Sequence, residues 1–237
     1  MIESISIVYP FYNEEKRIYK TLQDIKNFNL SSKHIKKEFL LVNDGSTDKT
    51  VDIISSYIKK NNNIKLVNYK INKGKGFALK KGVEKAKYDW ILTTDSDSSV
   101  SCFQLLEWIN KKLINYKNHI YFGSRNLNNS KVEKKLYRKI IGTIFTFIIL
   151  IFFKIKLKDT QCGFKLYKSR YAKKIFRKII TNGYMHDIEI CLISKKLNLM
   201  ITELPVKWVH KDNSKISFFK DVFKILYSLF IIKKNEY

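Results

Sequence analysis

The chain has 237 residues, 45% of them apolar, enough for one α/β domain with a full core and too apolar for a disordered chain. Lys and Arg total 46 against 21 Asp and Glu, a formal charge of +25. That excess calls for an anionic partner: nucleic acid, an anionic membrane or a phosphorylated substrate. Lys recurs along the whole chain, however, so part of the excess is general composition. Cys102, Cys162 and Cys191 form no Cys-x-x-Cys pair and suggest neither a disulfide framework nor a zinc site. The first residues lack a basic region followed by a long apolar stretch, so no signal peptide is expected.

The first half alternates two periodicities. Ile5 to Tyr9 predicts a buried strand ending at Pro10, and Glu14 to Phe28 has helical spacing through Ile18, Leu22 and Ile25. Phe39 to Val42 predicts a second strand, with Val51 to Ile58 in the helix after it. Ile64 to Val67 is a third strand and Phe77 to Ala86 a third helix. Trp90 to Thr93 is a fourth strand, before a helix through Leu105, Leu106 and Ile109. This rhythm predicts a mostly parallel sheet covered on both faces, in a single domain spanning residues 1–237.

Ligands of such sheets sit beyond the carboxyl ends of the strands. Tyr12, Asn13 and Glu14 follow strand one, Asn43 to Ser46 follow strand two, and Asp95 to Asp97 follow strand four. One carboxylate at a strand end is ordinary capping; acidic groups at three ends favour a site. Asp95-Ser96-Asp97 offers hard oxygens for Mg²⁺ or Mn²⁺ if a turn brings both carboxylates to one cation, or an N-cap if it does not. Asp44 lies upstream of the cap in Asn43-Asp44-Gly45-Ser46-Thr47-Asp48, where it could accept hydrogen bonds from a base or ribose. Asn72-Lys73-Gly74-Lys75-Gly76 opens a helix with glycines and cations suited to a phosphate, without the spacing of a P-loop.

Together with Val8-Tyr9-Pro10-Phe11-Tyr12-Asn13-Glu14-Glu15, these segments resemble family 2 glycosyltransferases of the GT-A fold, in order and spacing as far as Gly123-Ser124-Arg125. The second half, through Asp159-Thr160-Gln161-Cys162-Gly163-Phe164-Lys165-Leu166-Tyr167, His186-Asp187-Ile188-Glu189, Glu203-Leu204-Pro205-Val206-Lys207-Trp208 and Ser214-Lys215-Ile216-Ser217, resembles the dolichyl-phosphate β-glucosyltransferase branch. Two positions depart from the family pattern. Its Asp-Ala-Asp-Gly reads Asp95-Ser96-Asp97-Ser98 here, and its Phe before Asp-x-Glu is His186.

The resemblance implies an inverting transfer of a hexose, glucose from UDP-glucose, to a polyprenyl phosphate. GDP-mannose as donor, or a sugar hydroxyl as acceptor, are the alternatives. It places Pro10, Tyr12, Glu14 and Asp44 at the nucleoside, Lys75 near the nucleotide, and Asp95 and Asp97 at a Mg²⁺ or Mn²⁺ ion and the diphosphate. Arg125, Arg138 and Lys165 are the cations expected to hold the acceptor phosphate. Asp159 either orients or deprotonates the acceptor, or caps the turn at Gly163. Asp187 and Glu189 are expected to tether a loop over the site; His186 either contacts substrate or, the more common case for a lone His, is structural, and Trp208 packs either under the acceptor loop or in the core.

The apolar run Ile140 to Phe153 has cations on both sides: Lys134, Lys135, Arg138 and Lys139 before it, Lys154, Lys156 and Lys158 after it. At about 1.5 Å per residue it covers roughly 20 Å, short of the roughly 30 Å hydrocarbon core. Residues 134–158 therefore predict a helix lying in a membrane interface, or else a core helix. Residues 216–234 predict a second amphipathic helix, either on the membrane or packed on the first. The expected setting is a membrane's cytoplasmic face, endoplasmic reticulum in a eukaryote or inner membrane in a bacterium. A nucleic-acid partner is not expected, because the aromatic residues fall in apolar runs rather than among the basic ones.

Overall fold

The computed structural model describes residues 2–59, 61–132, 146–209 and 218–235, without the side chains of 218–224. Elements in chain order are β1 (Ser4–Phe11), α1 (Ile18–Ser31), β2 (Lys36–Asp44), α2 (Thr50–Ile58), β3 (Ile64–Tyr69), α3 (Lys75–Lys85), β4 (Trp90–Thr93), α4 (Phe103–Asn110), β5 (Ile120–Ser124) and β6 (Lys131–Val132). Then follow α5 (146–153), β7 (Lys165–Lys168), α6 (Ser169–Lys178), α7 (His186–Lys196), β8 (Ile201–Pro205), β9 (Lys207–Trp208) and α8 (Phe218–Lys234). The expected strands and helices of the first half are all present, mostly longer at one end or both.

The main sheet has seven strands in the order β3-β2-β1-β4-β7-β5-β8. It is parallel except at β7, which runs antiparallel to both β4 and β5. A short parallel pair, β6 with β9, lies beside it. Pro10 is inside β1 rather than at its end. Pairing of β1 with β4 stops at Val8 opposite Thr93, while pairing with β2 runs on to Phe11 opposite Asn43. The missing N–H of Pro10 therefore falls where β4 has already left the sheet, and no ladder bond is lost.

Alternation along β1 and β2 divides the core. Ile5, Ile7, Tyr9, Phe39 and Leu41 face α1 and α4, meeting Ile18, Leu22, Ile25, Phe28, Leu105 and Trp108. Val8, Leu40 and Val42 face the other way, toward Ala78, Leu79 and Val83 of α3. On that second side Ile175 and Phe176 of α6, Ile188 of α7, Ile149 and Phe153 of α5, and Leu229 and Ile232 of α8 complete the layer. Burying each such side chain contributes about 1.5–3 kcal/mol, so the helices are held by two continuous apolar layers rather than by their caps.

Among the described side chains, α5 and α8 each bury one edge and expose another. Ile149 and Phe153 are in the core, whereas Phe147, Leu150, Ile151 and Phe152 are exposed. Leu229 and Ile232 are in the core, whereas Leu226, Tyr227 and Phe230 are exposed. Lys233 Nζ donates to the carbonyl of Phe152 at 3.3 Å, so the helices touch. Among the described residues no helix is long and apolar enough to cross a membrane. Residues 134–145 of the first expected helix and the cation Arg138 lie outside the described residues, as do 216 and 217 of the second.

Candidate functional site

The polar loops after β1, β2 and β4 meet at one edge of the sheet, as the alternation requires. The loop after β1 and the turn after β2 are laced together. Asn13 N donates to Ser46 Oγ at 2.9 Å, and Thr47 N donates to Asn13 Oδ1 at 2.8 Å. Asn13 takes a positive φ of 50° to do so, a conformation Asn tolerates better than most residues. Tyr12 is part-exposed at this edge. Glu14 is buried; Arg17 Nε and Nη2 both donate to its carboxylate at 2.7 Å, and its backbone N–H donates to Thr50 Oγ1.

Asp44 ends β2, buried, and its carboxylate is fully engaged. It accepts from Tyr69 Oη at 2.8 Å, Asn72 Nδ2 at 3.1 Å, Lys73 N at 2.8 Å and Gly74 N at 2.8 Å. The carboxylate that the sequence offered to a base or ribose is bonded to the 72–74 loop and to Tyr69. That loop carries Gly74 at φ 105°, where a Cβ would lie 2.5 Å from the carbonyl oxygen of Asn182. Asp44 and Gly74 together aim the start of α3, and with it Lys75, back at β4.

Lys75 Nζ reaches Asp95 Oδ1 at 2.5 Å. Burial opposes its charge, but Asp95 and then Asp187 outweigh that and raise its pKa. Asp97 accepts from Ser99 N at 2.8 Å. Its pKa is raised, first by burial and then by the charge of Asp95. The loop between them is tied to α1, where Thr21 Oγ1 donates to the carbonyl of Ser96 at 2.5 Å and accepts from Ser98 Oγ at 3.3 Å. Ser98, which stands where the family pattern has Gly, holds a left-handed φ of 52°.

The other wall comes from the second half. Thr93 Oγ1 donates to the carbonyl of Gly163 at 3.3 Å, setting Gly163 against Asp95 so closely that a Cβ would lie 2.5 Å from the Asp95 Cγ. A cleft opens beside this contact, lined by Thr94, Asp95, Ser99, Val100, Arg125, Cys162, Gly163, Phe164 and Trp208. Asp159 is buried at 3% exposure. Arg125 Nε and Nη2 donate to its two oxygens at 2.7 and 2.8 Å, and Arg125 N adds a third bond at 2.9 Å. Burial would raise the Asp159 pKa, but the Arg125 charge and hydrogen bonds hold it below the usual carboxylate range. Such a carboxylate is a poor proton acceptor and a good anchor for a guanidinium.

Lys165 is 1% exposed, ion-paired with Asp187 and lying 4.6 Å from the Phe122 ring centroid. It faces the interior rather than the cleft where an acceptor phosphate was expected. His186 is buried, its Nδ1 against the Gly183 carbonyl at 2.8 Å; burial lowers its pKa despite Asp187, leaving it neutral near pH 7. Glu189 accepts from Ile180 N at 3.0 Å and Thr181 N at 2.8 Å, tying down the chain between α6 and α7. Trp208 is half-buried in the cleft wall as well as packed on the core. The role of Thr21 and the close seat of Gly163 were not anticipated. Thr21 reads as one more helix residue, and Thr93 and Gly163 are 70 residues apart in sequence.

The mostly parallel sheet, with its acidic loops gathered at one edge and an antiparallel β7 closing the site, defines a GT-A-like glycosyltransferase fold. The chain belongs to Glycosyl transferase family 2, whose match covers residues 6–176. It is 36% identical over 219 residues to a Trichomonas vaginalis protein named dolichyl-phosphate beta-glucosyltransferase ALG5A, covering 90% of this chain and 68% of that one. A Dictyostelium discoideum dolichyl-phosphate beta-glucosyltransferase is 34% identical over 223 residues, with the same two shares. Glucosyl-3-phosphoglycerate synthase from Mycobacterium tuberculosis, solved with Mn²⁺, UDP-glucose and glycerol 3-phosphate, superposes with a TM-score of 0.70 at 14% identity, covering 98% of this chain and 80% of that one. At that identity the likeness is one of fold.

Proposed function

We propose that this chain transfers glucose from UDP-glucose to a dolichyl-type polyprenyl phosphate at the surface of a membrane. The observation that carries this reading is the small cleft bordered by Asp95 from the first half, paired with Lys75, and by Arg125 from the second, paired with Asp159. The names of the similar proteins support the lipid phosphate and the glucose. UDP as the donor's nucleotide rests on the resemblance and on the fold neighbour's ligand.

Asp95 and Asp97 suit Mg²⁺ or Mn²⁺, because both offer hard oxygens and a cation would relieve the repulsion that raises the Asp97 pKa. Among the described residues no three His, Cys, Asp or Glu side chains gather as a full cage, so phosphate oxygens would complete the shell. The metal would neutralise the departing diphosphate. Pro10, Tyr12, Glu14 and Asp44 border the nucleoside, Asp44 by shaping the 72–74 loop, and Lys75 serves the diphosphate.

The acceptor is a phosphate monoester, already anionic near pH 7, so its positioning matters more than a strong base. Arg125 presents that cation and Asp159 orients it. Arg138 and Lys165 are weaker claims, the first lying outside the described residues and the second buried against Asp187. Attack on C1 opposite the leaving group would turn an α-linked donor into a β-linked product.

The exposed faces of α5 and α8 support a peripheral seat on a membrane's cytoplasmic face, the endoplasmic reticulum in a eukaryote. Phe147→Glu combined with Phe230→Glu should then release the protein from anionic liposomes while leaving its far-UV circular dichroism unchanged. Liposome binding by the double variant at the wild-type level would remove the membrane from the reading.

The central test is a transfer assay with UDP-glucose and GDP-mannose, each offered to a short polyprenyl phosphate and to a free oligosaccharide, with Mg²⁺ or Mn²⁺. Transfer from UDP-glucose to the lipid phosphate is expected. Transfer only from GDP-mannose, or only to a sugar hydroxyl, would replace this reading with the corresponding alternative.

A further inference from the structure

Lys75 is a cation lying on a carboxylate that the proposed function gives to a metal. Its Nζ is 2.5 Å from Asp95 Oδ1, and a divalent cation at the same oxygen would meet that ammonium charge at close range. Yet Lys75 cannot be idle. Asp95 and Asp97 sit two residues apart on one loop, and Lys75 places its charge directly on the first of them.

The backbone at Lys75 is fixed, because Gly74 N donates to Asp44 and Gly76 N donates to the Asn182 carbonyl at 2.7 Å. Only the side chain is left to move. It projects from the first turn of α3, where the Gly76 and Phe77 amides already donate to the Asn182 carbonyl, so an arriving anion would be met by the helix dipole and by the lysine itself.

We propose that Lys75 is a resident counter-cation that exchanges with the metal. It neutralises Asp95 in the ligand-free protein and passes to the diphosphate when a divalent cation takes Asp95 and Asp97. This rests on the reading of those two carboxylates as the divalent site. The consequence is a built-in coupling: metal alone competes with Lys75 and binds weakly, whereas a nucleoside diphosphate gives Lys75 a new partner and frees Asp95. By reciprocity the metal strengthens diphosphate binding by the same factor.

Mn²⁺ binding to the full chain, read from the electron paramagnetic resonance signal of free Mn²⁺ with and without UDP, tests this without any turnover. Lys75→Met, which keeps the aliphatic stem, should bind Mn²⁺ alone about tenfold more tightly than wild type, the scale of one neighbouring unit charge in a partly buried site. The strengthening that UDP produces should shrink by a similar factor. Lys75→Gln should behave alike as a second neutral variant, and Lys75→Arg should stay near wild type. Mn²⁺ affinity in the neutral variants equal to or below wild type, with the UDP effect undiminished, would overturn the exchange. A wild-type chain that takes up no Mn²⁺ even with UDP would instead overturn the divalent site itself, and the exchange with it.

Discussion

Asp44 and Asp159 stand at opposite ends of the site and share one property: their oxygens are filled by the chain's own donors, four bonds at Asp44 and a guanidinium fork plus backbone N–H groups at Asp159. Asp95 is paired with Lys75, and Asp97 accepts from the Ser99 amide and side chain. The difference separates carboxylates that brace the fold from the two that the proposed function gives to a ligand. A saturated carboxylate stabilises the fold and has a depressed pKa when a cation supplies the bonds. Burial and the neighbouring charge raise the pKa of Asp97, so its ionised form is held at a cost.

Substitution should pull these two kinds apart. The largest effect on activity is expected for Asp97→Asn, which should lower kcat by on the order of a thousandfold, the several kcal/mol that a metal supplies to developing charge. Because its ionised form is a cost in the folded protein, the same change should leave Tm unchanged or raise it. Initial rates across a Mn²⁺ titration, together with a melting curve, check both halves; a normal rate would take Asp97 out of the site.

Asp159→Asn should do the reverse to the fold, lowering stability by about 3 kcal/mol by stranding a buried guanidinium. The pH dependence has a definite sign. The folded pKa of Asp159 lies below the unfolded value of about 3.9, so its stabilisation is complete above that pH and is lost as pH falls through the folded value. The gap in Tm between wild type and Asp159→Asn should be constant from neutral pH down to about 5 and close below about 4. A gap that persists unchanged to lower pH would mean the pair is not what Asp159 contributes.

Gly163→Ala places a methyl group where the Asp95 carboxyl now sits. Asp95 is part-exposed and can swing away, so the expected cost is about 1 kcal/mol in stability but tenfold or more in kcat/KM. Equal Tm and equal kcat/KM would show that Asp95 needs no such seat. The smallest effect is expected at Ser98, where glycine removes the left-handed strain but adds freedom to the unfolded chain, for a net gain of roughly 0.5 kcal/mol. Chemical denaturation of Ser98→Gly measures it.

The alternation that builds β1 to β4 was plain in the sequence because each strand is a short apolar run followed at once by polar turn residues. Asp44, Asp95 and Asp97 were readable as strand-end acids for the same reason. Their bonding states were not, since they depend on which donors fold back: the Lys73 and Gly74 amides for Asp44, the Arg125 fork for Asp159. Lys165 illustrates the limit. As a cation just after the Gly163 turn it looks available, but β7 is buried along most of its length and Lys165 lies inside against Asp187 and the Phe122 ring. The apolar runs of α5 and α8 were equally clear, and only packing could divide each into a buried and an exposed edge.

The reversal of β7 has a consequence for the order of synthesis. The strands β1 to β4 and their acidic loops are complete once the first hundred or so residues have left the ribosome, but β7 enters between β4 and β5 from much later in the chain. Until it does, Gly163 is not against Asp95, Arg125 has no Asp159, and β4 is an open sheet edge. A nascent chain stalled before residue 165 therefore has a recognisable nucleotide half and no closed site, with an unpaired strand exposed for a holding chaperone to cover.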